Sequence, residues 1–205
     1  MRSALDLADE VGLRALTIRA VAKRADVAPM SIYTHVQNKE ELFDFMYLEV
    51  TARLYADAGH PTWQAEYISM CHQVRQTLLL HPRWAPLLSR PAPPLSIPLR
   101  ERMLALMTAD GLSLDDAFGA ISHGALSSIG YALVELTFRD SEGSSSLVKR
   151  FEKLKQWAEQ PAADKPDPLT RAAVTKASRF DLSAVFARSI RIYVSGLEAG
   201  RARQP

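Results

Sequence analysis

Residues 16–39 read Leu16-Thr-Ile-Arg-Ala-Val-Ala-Lys-Arg-Ala-Asp-Val-Ala-Pro-Met-Ser-Ile-Tyr-Thr-His-Val-Gln-Asn-Lys39. Thr17 is placed to cap a helix over residues 18–25, and Pro29 suits the first position of a second helix over residues 29–35. When a tight turn joins two such helices, the second lies in the DNA major groove with its N-terminal residues on base edges. The stretch therefore predicts a helix-turn-helix DNA-binding unit.

The second predicted helix presents small or hydrogen-bonding side chains at its outward positions. A helix must approach the bases closely, and a Ser or Thr hydroxyl can pair with several base types. These requirements are met by the residues that we predict to face base edges, which are Ala28, Pro29, Met30, Ser31 and Thr34.

Basic charge is concentrated around these two helices. The whole chain of 205 residues carries a formal net charge of only +2, which does not identify nucleic acid as a partner. Residues 12–39, however, hold five basic residues against one acid, a local charge of +4. Tyr33, His35 and Lys39 flank the predicted groove surface and are suited to bind phosphates. A small helical subdomain with a solvated basic face shows the same pattern, so spacing alone leaves that alternative open.

The first helices are too short to be stable alone. Residues 4–11, where Gly12 suits a helix stop, precede the pair above, and each predicted helix has only two or three turns. The three helices must therefore share one small core, for which we predict Leu5, Ala8, Leu16, Val21, Ala22, Val27, Ile32 and Tyr33.

The rest of the chain also has a helical pattern. Hydrophobic residues make up 47% of it and mostly recur every three or four positions, and only nine glycines occur. Asn38 and Glu41 form a capping-box arrangement for a helix that bridges two domains. Ser113 caps another helix, just after a stop at Gly111 with Leu112 as its apolar contact. We predict an all-α protein with further helices over residues 38–58, 62–80, 83–88, 97–109, 113–139, 147–160, 170–177 and 182–200.

Composition also bears on the compartment. The single cysteine, Cys71, excludes an internal disulfide framework and is compatible with a reducing compartment. The first eleven residues lack the apolar run of a secretory signal. Residues 117–134 contain no Asp, Glu, Lys or Arg and approach the ~18 residues of a spanning helix, but they include His123, serines and glycines. We expect a buried central helix and a cytoplasmic protein without a membrane span.

Residues 5–50 resemble the DNA-binding domain of the tetracycline-repressor family. The residues that carry the resemblance are 16–19, 21–22, 27–33, 35–36 and 38–42. The resemblance implies a transcriptional regulator whose residues 28–31 and 34 face the groove. It also implies contacts to the DNA backbone from Thr17, Arg19, Tyr33, His35 and Lys39.

The chain departs from the family pattern at the recognition helix. The turn glycine of the family is replaced by Asp26, which tolerates a left-handed conformation better than most residues. The usual hydroxyl cap is replaced by Ala28, a loss of ~1 kcal/mol that Pro29 partly offsets. Since only a few residues precede the first helix, we do not expect minor-groove contacts from a basic N-terminal arm.

The remaining chain resembles the family's ligand-binding and dimerisation domain more weakly. We therefore divide the chain into a DNA-binding domain over residues 1–46 and a ligand-binding and dimerisation domain over residues 47–205. In the branch that binds tetracycline with magnesium, histidines line the pocket, but residues 84–91 lack the matching histidine. The resemblance therefore implies a repressor released from a palindromic operator by a small, largely apolar effector, without a metal or another cofactor.

A ligand pocket in a helical bundle is usually apolar with a few polar groups. Aromatic side chains hold flat ligands, and methionines adapt to varied shapes. The same residue types fill ordinary cores, and the glycines at 119, 124 and 130 indicate either close helix packing or cavity space. The pocket candidates are Trp63, Tyr67, Met70, Trp84, Met103, Met107, His123, Ser127 and Tyr131.

Metal binding and catalysis find little support in the sequence. No histidine pair has a spacing of three or four residues, and Cys71 and His72 point in different directions on a helix. A nucleophile from Cys71, or from Ser122 or Ser127 beside His123, lacks the motifs of known enzyme classes. An enzyme and a protein-interaction module remain the competing classes, and we predict the regulator.

A helix-turn-helix protein gains affinity when two copies bind a palindromic site. The family dimerises through its last long helices, which implies a homodimer interface from residues 147–157 and a stripe on the final helix. That stripe can equally pack on its own core. Its members are Val185, Phe186, Ser189, Ile190, Tyr193 and Leu197.

Overall fold

The computed structural model describes residues 1–54, 59–91, 101–138, 167–177 and 181–201, together with Lys153 and Gln156. All regular secondary structure in these residues is helical, which confirms the all-α prediction. The predicted helix over residues 147–160 lies almost entirely outside the described residues. The helices are α1 (Arg2–Ala15), α2 (Ile18–Arg24), α3 (Pro29–Tyr33), α4 (Lys39–Leu54), α5 (Trp63–Leu80), α6 (Ala85–Leu88), α7 (Glu101–Ala109), α8 (Leu114–Phe138), α9 (Pro168–Ala177) and α10 (Leu182–Arg201), and a 3₁₀ turn spans Pro82–Trp84.

The ends of the first three helices follow local signals. The Thr17 hydroxyl accepts a hydrogen bond from the Ala20 amide at 3.1 Å, which confirms the predicted cap of α2. Gly12, with φ 76°, kinks α1, which continues to Ala15 rather than stopping. Asp26 takes φ 54° in the turn before α3, so this aspartate adopts the left-handed conformation that the turn needs.

The observed core of the front helices differs from the predicted core at α3 and the residues beside it. Val27 and Tyr33 were predicted to be buried but are 42% and 45% exposed, and Ile32 is half-buried. The physical reason is that α3 has only five residues and packs at the edge of the core, so its other side chains face outward. The core prediction is confirmed for the remaining members, which are Leu5, Ala8, Leu16, Val21 and Ala22.

The start of α4 forms the predicted capping arrangement with one change of partner. The Asn38 side-chain oxygen accepts a hydrogen bond from the Glu41 amide at 2.9 Å. The Glu41 carboxylate accepts from the amide of Gln37 at 2.5 Å, one residue earlier than the capping-box pattern places it. The structure describes α4 as far as Leu54, and the predicted end near residue 58 lies outside the described residues.

Capping also explains the ends of the later helices. Gly111, with φ 91°, ends α7, and the Leu112 amide donates to the Met107 carbonyl at 3.1 Å, the bond of a Schellman motif. The Ser113 hydroxyl accepts from the Asp116 amide at 3.0 Å and so caps α8. Helix α9 begins at Pro168 rather than residue 170, because Asp167 accepts hydrogen bonds from the amides of residues 169 and 170.

Two clusters of buried apolar side chains hold these helices together. The first joins the three front helices and α4 to α5, α6 and the 3₁₀ turn, and it includes Leu16, Met46 and Leu87. The second lies among α5, α7, α8 and α10, and it includes Met107 and Phe186. Since the first cluster is continuous from residue 4 to residue 132, the front helices pack directly on the bundle.

Helix α8 is long and apolar enough to cross a membrane by composition alone. The qualifying segment, Leu114–Thr137, has 24 residues and a mean hydropathy of 1.3. A central helix of a folded protein meets the same criteria. Because α8 packs against α5, α7 and α10, its apolar composition is not evidence of a membrane span.

Helix α8 approaches α5 most closely at Gly124. A Cβ atom built there would lie 2.8 Å from the Tyr67 hydroxyl oxygen and 2.9 Å from the Cys71 sulfur. Both neighbours are fully buried, so they have little room to move. A Cβ at Gly119 or Gly130 would meet nothing within 4 Å. Close packing therefore applies at Gly124, whereas Gly119 and Gly130 are exposed and do not line the described cavities.

Replacing Gly124 with alanine is expected to lower the free energy of unfolding by ~1–3 kcal/mol, because the added methyl group overpacks a rigid contact. Gly119→Ala is the matched control on the same helix. It should leave stability unchanged or raise it by up to ~1 kcal/mol through helix propensity. Urea unfolding at fixed protein concentration measures both. Equal stability of the two variants would contradict the close packing at Gly124.

Candidate DNA-binding surface and effector cavity

Helix α3 presents an exposed surface at the front of the molecule. None of its residues is buried, and Met30 is 72% exposed. Pro29 occupies the first turn, and Ala28 before it provides no side-chain cap, as the sequence predicted. The predicted base-edge residues, Ala28, Pro29, Met30, Ser31 and Thr34, are all exposed and lie on or beside this single short helix.

The turn before α3 fixes how this helix leaves α2. The Val27 amide donates to the Ala22 carbonyl at 3.1 Å across Asp26, whose positive φ closes the turn. The Thr34 hydroxyl donates to the Ser31 carbonyl at 2.8 Å, within the last turn of the helix. Backbone geometry thus holds α3 against α2 with its outer surface uncovered.

The predicted backbone-contacting residues surround α3. Thr17, Arg19, Tyr33 and His35 are exposed. Lys39 is half-buried, and its amino group donates to the Arg14 carbonyl at 3.2 Å and lies 5.3 Å from the centre of the Phe43 ring. Packing on Phe43 therefore holds this ammonium in one place at the start of α4.

Part of the basic charge at the front is already paired. Arg24 forms an ion pair with Glu10 of α1 at 2.7 Å. Arg19 and Lys23 are exposed on α2, and Arg14 is exposed near the end of α1. The positive charge at the front of the molecule is therefore concentrated on α2 and the ends of the neighbouring helices.

Polar contacts join the front helices to the bundle at the 3₁₀ turn. The ring nitrogen Nδ1 of His81 lies 2.7 Å from the Asp9 carboxylate. Arg83 donates to the backbone carbonyls of Asp9 and Glu10 in α1. The His81 ring stacks on Trp84 with centroids 4.0 Å apart. A movement of this turn is thus transmitted directly to α1.

A cavity of about 280 Å³ lies between α4, α5, α6 and α8. Its size is close to the lower end of the range for small-molecule sites, roughly 300 Å³. Most of its lining is apolar, and Arg90 is the one charged residue among the described residues that line it. The lining residues are Tyr47, Thr51, Leu54, Val74, Leu88, Arg90, Phe118, Ser122, Ala125, Leu126 and Ile129.

The nine residues predicted to line a ligand pocket do not line this cavity. Trp84 belongs to the first core cluster, and five others are packed in the second cluster, where Trp63 donates a hydrogen bond to the Asp110 carboxylate at 2.7 Å. These large side chains fill the core, and the aromatic residues that line the cavity are instead Tyr47 and Phe118. The five residues packed in the second cluster are Trp63, Tyr67, Met70, Met103 and Met107.

The remaining predicted pocket residues lie on α8, where His123 joins a network with α5 and α10. Its ring stacks on Tyr193 at 3.8 Å, and its nitrogens lie 3.1 Å from the Ser127 hydroxyl and 3.3 Å from the Tyr67 hydroxyl. Partial burial lowers the pKa of His123, and burial raises the pKa of Tyr67. Both groups are therefore neutral near pH 7. Tyr131, half-buried, packs its ring against Phe186.

The sequence signal for the cavity is a periodic pattern on α8, and the content of aromatic residues and methionines does not reveal it. Phe118, Ser122, Ala125, Leu126 and Ile129 recur at intervals of three or four residues and form one stripe along α8. The stripe lines the cavity together with Tyr47, Thr51 and Leu54 of α4 and Leu88 of α6.

The predicted dimer stripe of α10 divides between the core and the surface. Phe186 and Ile190 are 0% and 1% exposed within their own chain, so they cannot form a surface for a partner. The alternative that the stripe packs on its own core therefore holds for these two residues. The other four members, Val185, Ser189, Tyr193 and Leu197, are half-buried. Most of the predicted partner segment, residues 147–157, lies outside the described residues.

Cys71 is fully buried next to Tyr67 and Gly124. Burial raises the pKa of its thiol to about 12. A thiol with this pKa is protonated near pH 7 and is a poor nucleophile. Within the described ranges, no group of three His, Cys, Asp or Glu side chains is arranged to hold a metal ion.

Comparison with known proteins identifies two family domains in this order. Residues 1–46 match the model of bacterial regulatory proteins of the tetR family. Residues 55–201 match the C-terminal domain described as tetracyclin repressor-like. The chain is 28% identical over 206 residues to the tetracycline repressor class A of transposon 1721 from Escherichia coli, covering 98% of this chain and 89% of that protein.

Solved structures share the fold. The apo form of ActR from Streptomyces coelicolor superposes with a TM-score of 0.75 at 24% identity, covering 98% of this chain and 93% of that one. ActR in complex with actinorhodin gives 0.74 at 24% identity, with coverage of 98% and 95%. The chain therefore belongs to the TetR family of bacterial regulatory proteins, whose members are ligand-responsive, DNA-binding transcriptional repressors.

Proposed function

We propose that α3 of this regulator reads its operator in the major groove, with Ala28, Pro29, Met30, Ser31 and Thr34 facing base edges. The observation that carries the proposal is that α3 buries none of its residues. A helix that contributes so little to the core has its side chains free for another surface. The short, uncharged side chains around Met30 allow close approach to the bases.

The proposed phosphate contacts come from Thr17, Arg19, Tyr33, His35 and Lys39. Two sequence signals support them, the local charge of +4 and the family pattern at these positions. Such contacts fix the register of a protein on DNA but carry no sequence information. They make the affinity sensitive to salt, because each neutralised phosphate releases counterions.

Lys39→Ala tests the phosphate role directly. The variant should bind all DNA sequences more weakly and reduce the magnitude of the slope of log K against log salt by about 1, the value expected for one lost phosphate contact. Lys176→Ala, an exposed lysine on α9, is the control and should leave the slope unchanged. A slope that is equal in all three proteins would exclude a phosphate contact at Lys39.

We further propose that the cavity between α4, α5, α6 and α8 is the effector site. Its apolar lining and its contact with α4 support this assignment, because α4 leads into the DNA-binding helices. The aromatic and methionine residues of the second cluster then belong to the core and do not line the cavity. A relative named for tetracycline and a structure of ActR bound to actinorhodin both support a small-molecule effector. The missing histidine in residues 84–91 argues against tetracycline with magnesium here.

The working form is proposed to be a homodimer whose interface includes α8 and α10. Exposed apolar side chains on these two helices, Leu133, Val134 and Ile192, support this surface, together with the half-buried members of the α10 stripe. The proposed location is the cytoplasm, where operator DNA is found. We propose no catalytic activity and no membrane association.

Binding to DNA from beside its own gene tests the proposal. Fluorescence anisotropy across a salt series, with non-specific DNA as the control, should show tight, salt-sensitive and sequence-selective binding. Equal weak binding to both DNAs would place the operator elsewhere. No binding at any salt concentration would disprove the function.

A further inference from the structure

The charge content of the cavity restricts what it can bind. Leu54, Ile129 and most other lining residues are apolar. The Thr51 hydroxyl donates to the Tyr47 carbonyl of its own helix at 2.8 Å, so its proton is already used. Arg90 is the one cationic group that the described residues contribute to the lining. An anionic group against this lining would lose part of its hydration, and Arg90 is the one cation among the described lining residues that can offset that loss.

Arg90 is also bound to the DNA-binding side of the molecule. Its guanidinium lies 2.5 Å from the Glu40 carboxylate and 4.0 Å from that of Asp44, both in the first turns of α4. It stacks over the Phe43 ring at 5.2 Å, the ring that also holds Lys39. The side chain of Arg90 is 29% exposed, whereas Glu40 is 70% exposed. Arg90 thus connects the cavity wall to the residue that follows Lys39.

Glu40 is a weak competitor for this arginine. A carboxylate that is 70% exposed gains little from an ion pair, because water screens the charge and solvates the released anion. An acid against the apolar lining, in contrast, is partly desolvated, and Arg90 is less exposed than Glu40. A guanidinium prefers an anion that can accept two hydrogen bonds in a fixed position.

We infer that the effector is an apolar acid, whose anionic group binds Arg90 in place of Glu40. The inference rests on the proposed function, since it names the ligand class of the proposed effector site. Release of Glu40 removes the ion pair between the end of α6 and the start of α4. The contacts between Arg90 and the start of α4, beside Lys39, therefore differ between the free and the effector-bound state, and DNA affinity falls by the difference in effector affinity between the two states.

A matched pair of fluorescent probes tests the charge. Anilinonaphthalene sulfonate and phenylnaphthylamine share one ring skeleton and differ by the sulfonate group. Arg90→Gln should weaken binding of the sulfonate about tenfold and change binding of the neutral probe by less than about twofold. Arg90→Lys keeps the charge and should retain most of the preference. Arg53→Gln removes an exposed arginine of α4 that pairs with Glu49, and it is the matched control.

The competing carboxylate gives a test in the opposite direction. Glu40→Gln removes the competitor, so it should tighten sulfonate binding by about threefold or more and leave the neutral probe unchanged. Glu49→Gln, the corresponding change in the Arg53 pair, should have no effect. Ala125→Trp fills the cavity and should abolish binding of both probes, which shows where they bind. Helical circular dichroism checks the fold of each variant.

The outcomes separate this inference from the proposed function. Equal affinity for both probes, equal losses in Arg90→Gln, or no sulfonate binding at millimolar concentration would overturn the acidic effector. Sequence-selective DNA binding by the wild type would remain, and the proposed regulator would stand. If the wild type bound no DNA but still preferred the sulfonate probe, the proposed function would be overturned instead.

Discussion

Replacing Met30 with glutamate is expected to weaken operator binding by at least ~100-fold, about 2.7 kcal/mol, and to leave the fold intact. Met30 lies in the first turn of α3 and is 72% exposed. In the proposed complex, a carboxylate there would lie in the major groove between the two rows of DNA phosphates, and like charges in an interface cost several kcal/mol. The same carboxylate at a helix N-terminus does not destabilise the free protein, because the helix dipole favours it.

Two measurements distinguish this loss from unfolding. The melting temperature of Met30→Glu should stay close to that of the wild type, and its DNA affinity should fall in an anisotropy titration. Ala105→Glu places the same charge at an exposed position on α7 and should bind DNA normally. If Met30→Glu bound the operator as tightly as the wild type, α3 would not be the recognition helix.

The largest effect on stability is expected at Arg75. Its guanidinium forms an ion pair with Glu135 of α8 and donates to the Ser183 hydroxyl of α10 at 2.6 Å. The two charged side chains are only 11% and 18% exposed. Arg75→Met removes the guanidinium from this mostly buried ion pair and from its bond to Ser183, so we expect a loss of ~3–5 kcal/mol in the free energy of unfolding.

A second variant and a surface pair make this test specific. Arg75→Met combined with Glu135→Leu should recover most of the loss, because both charges of this pair are then replaced by apolar side chains. Arg53→Met breaks a pair whose side chains are 58% and 41% exposed, and it should cost less than ~0.5 kcal/mol. Urea unfolding at one protein concentration measures all of them. An Arg75→Met cost below ~1 kcal/mol would show that water reaches this pair.

The fold was predictable because its helix ends carry local signals. Thr17, Asn38, Ser113 and the Gly111-Leu112 pair each act through hydrogen bonds to residues within five positions, so the sequence alone shows where they operate. The exposure of the proposed DNA-binding surface was predictable for a related reason. The residues of α3 are few, and their exposure follows from the shortness of the helix.

The cavity that we propose as the effector site was not predictable in the same way. Whether an apolar residue faces a core or a cavity depends on the residues opposite it, and those come from distant parts of the chain. Trp63 and Leu126 are both apolar residues on long helices, yet one is 2% and the other 69% exposed. Trp63 was predicted to line the pocket because its side chain is large, but a large apolar side chain gains the most free energy when it is buried in the core. The dimer stripe was misjudged for the same reason at Phe186.

The continuous first core has a consequence for building hybrid regulators. Leu16, Met46 and Leu87 belong to one apolar cluster that crosses the predicted boundary at residue 46. If the DNA-binding domain of this chain were joined to the ligand-binding domain of another regulator, the first cluster would contain side chains from two different proteins. A chimera should therefore include the 3₁₀ turn and α6 of this chain together with its DNA-binding domain, so that these contacts come from one protein. Calorimetry of the intact protein should accordingly show the DNA-binding domain and the ligand-binding domain unfolding in a single cooperative transition.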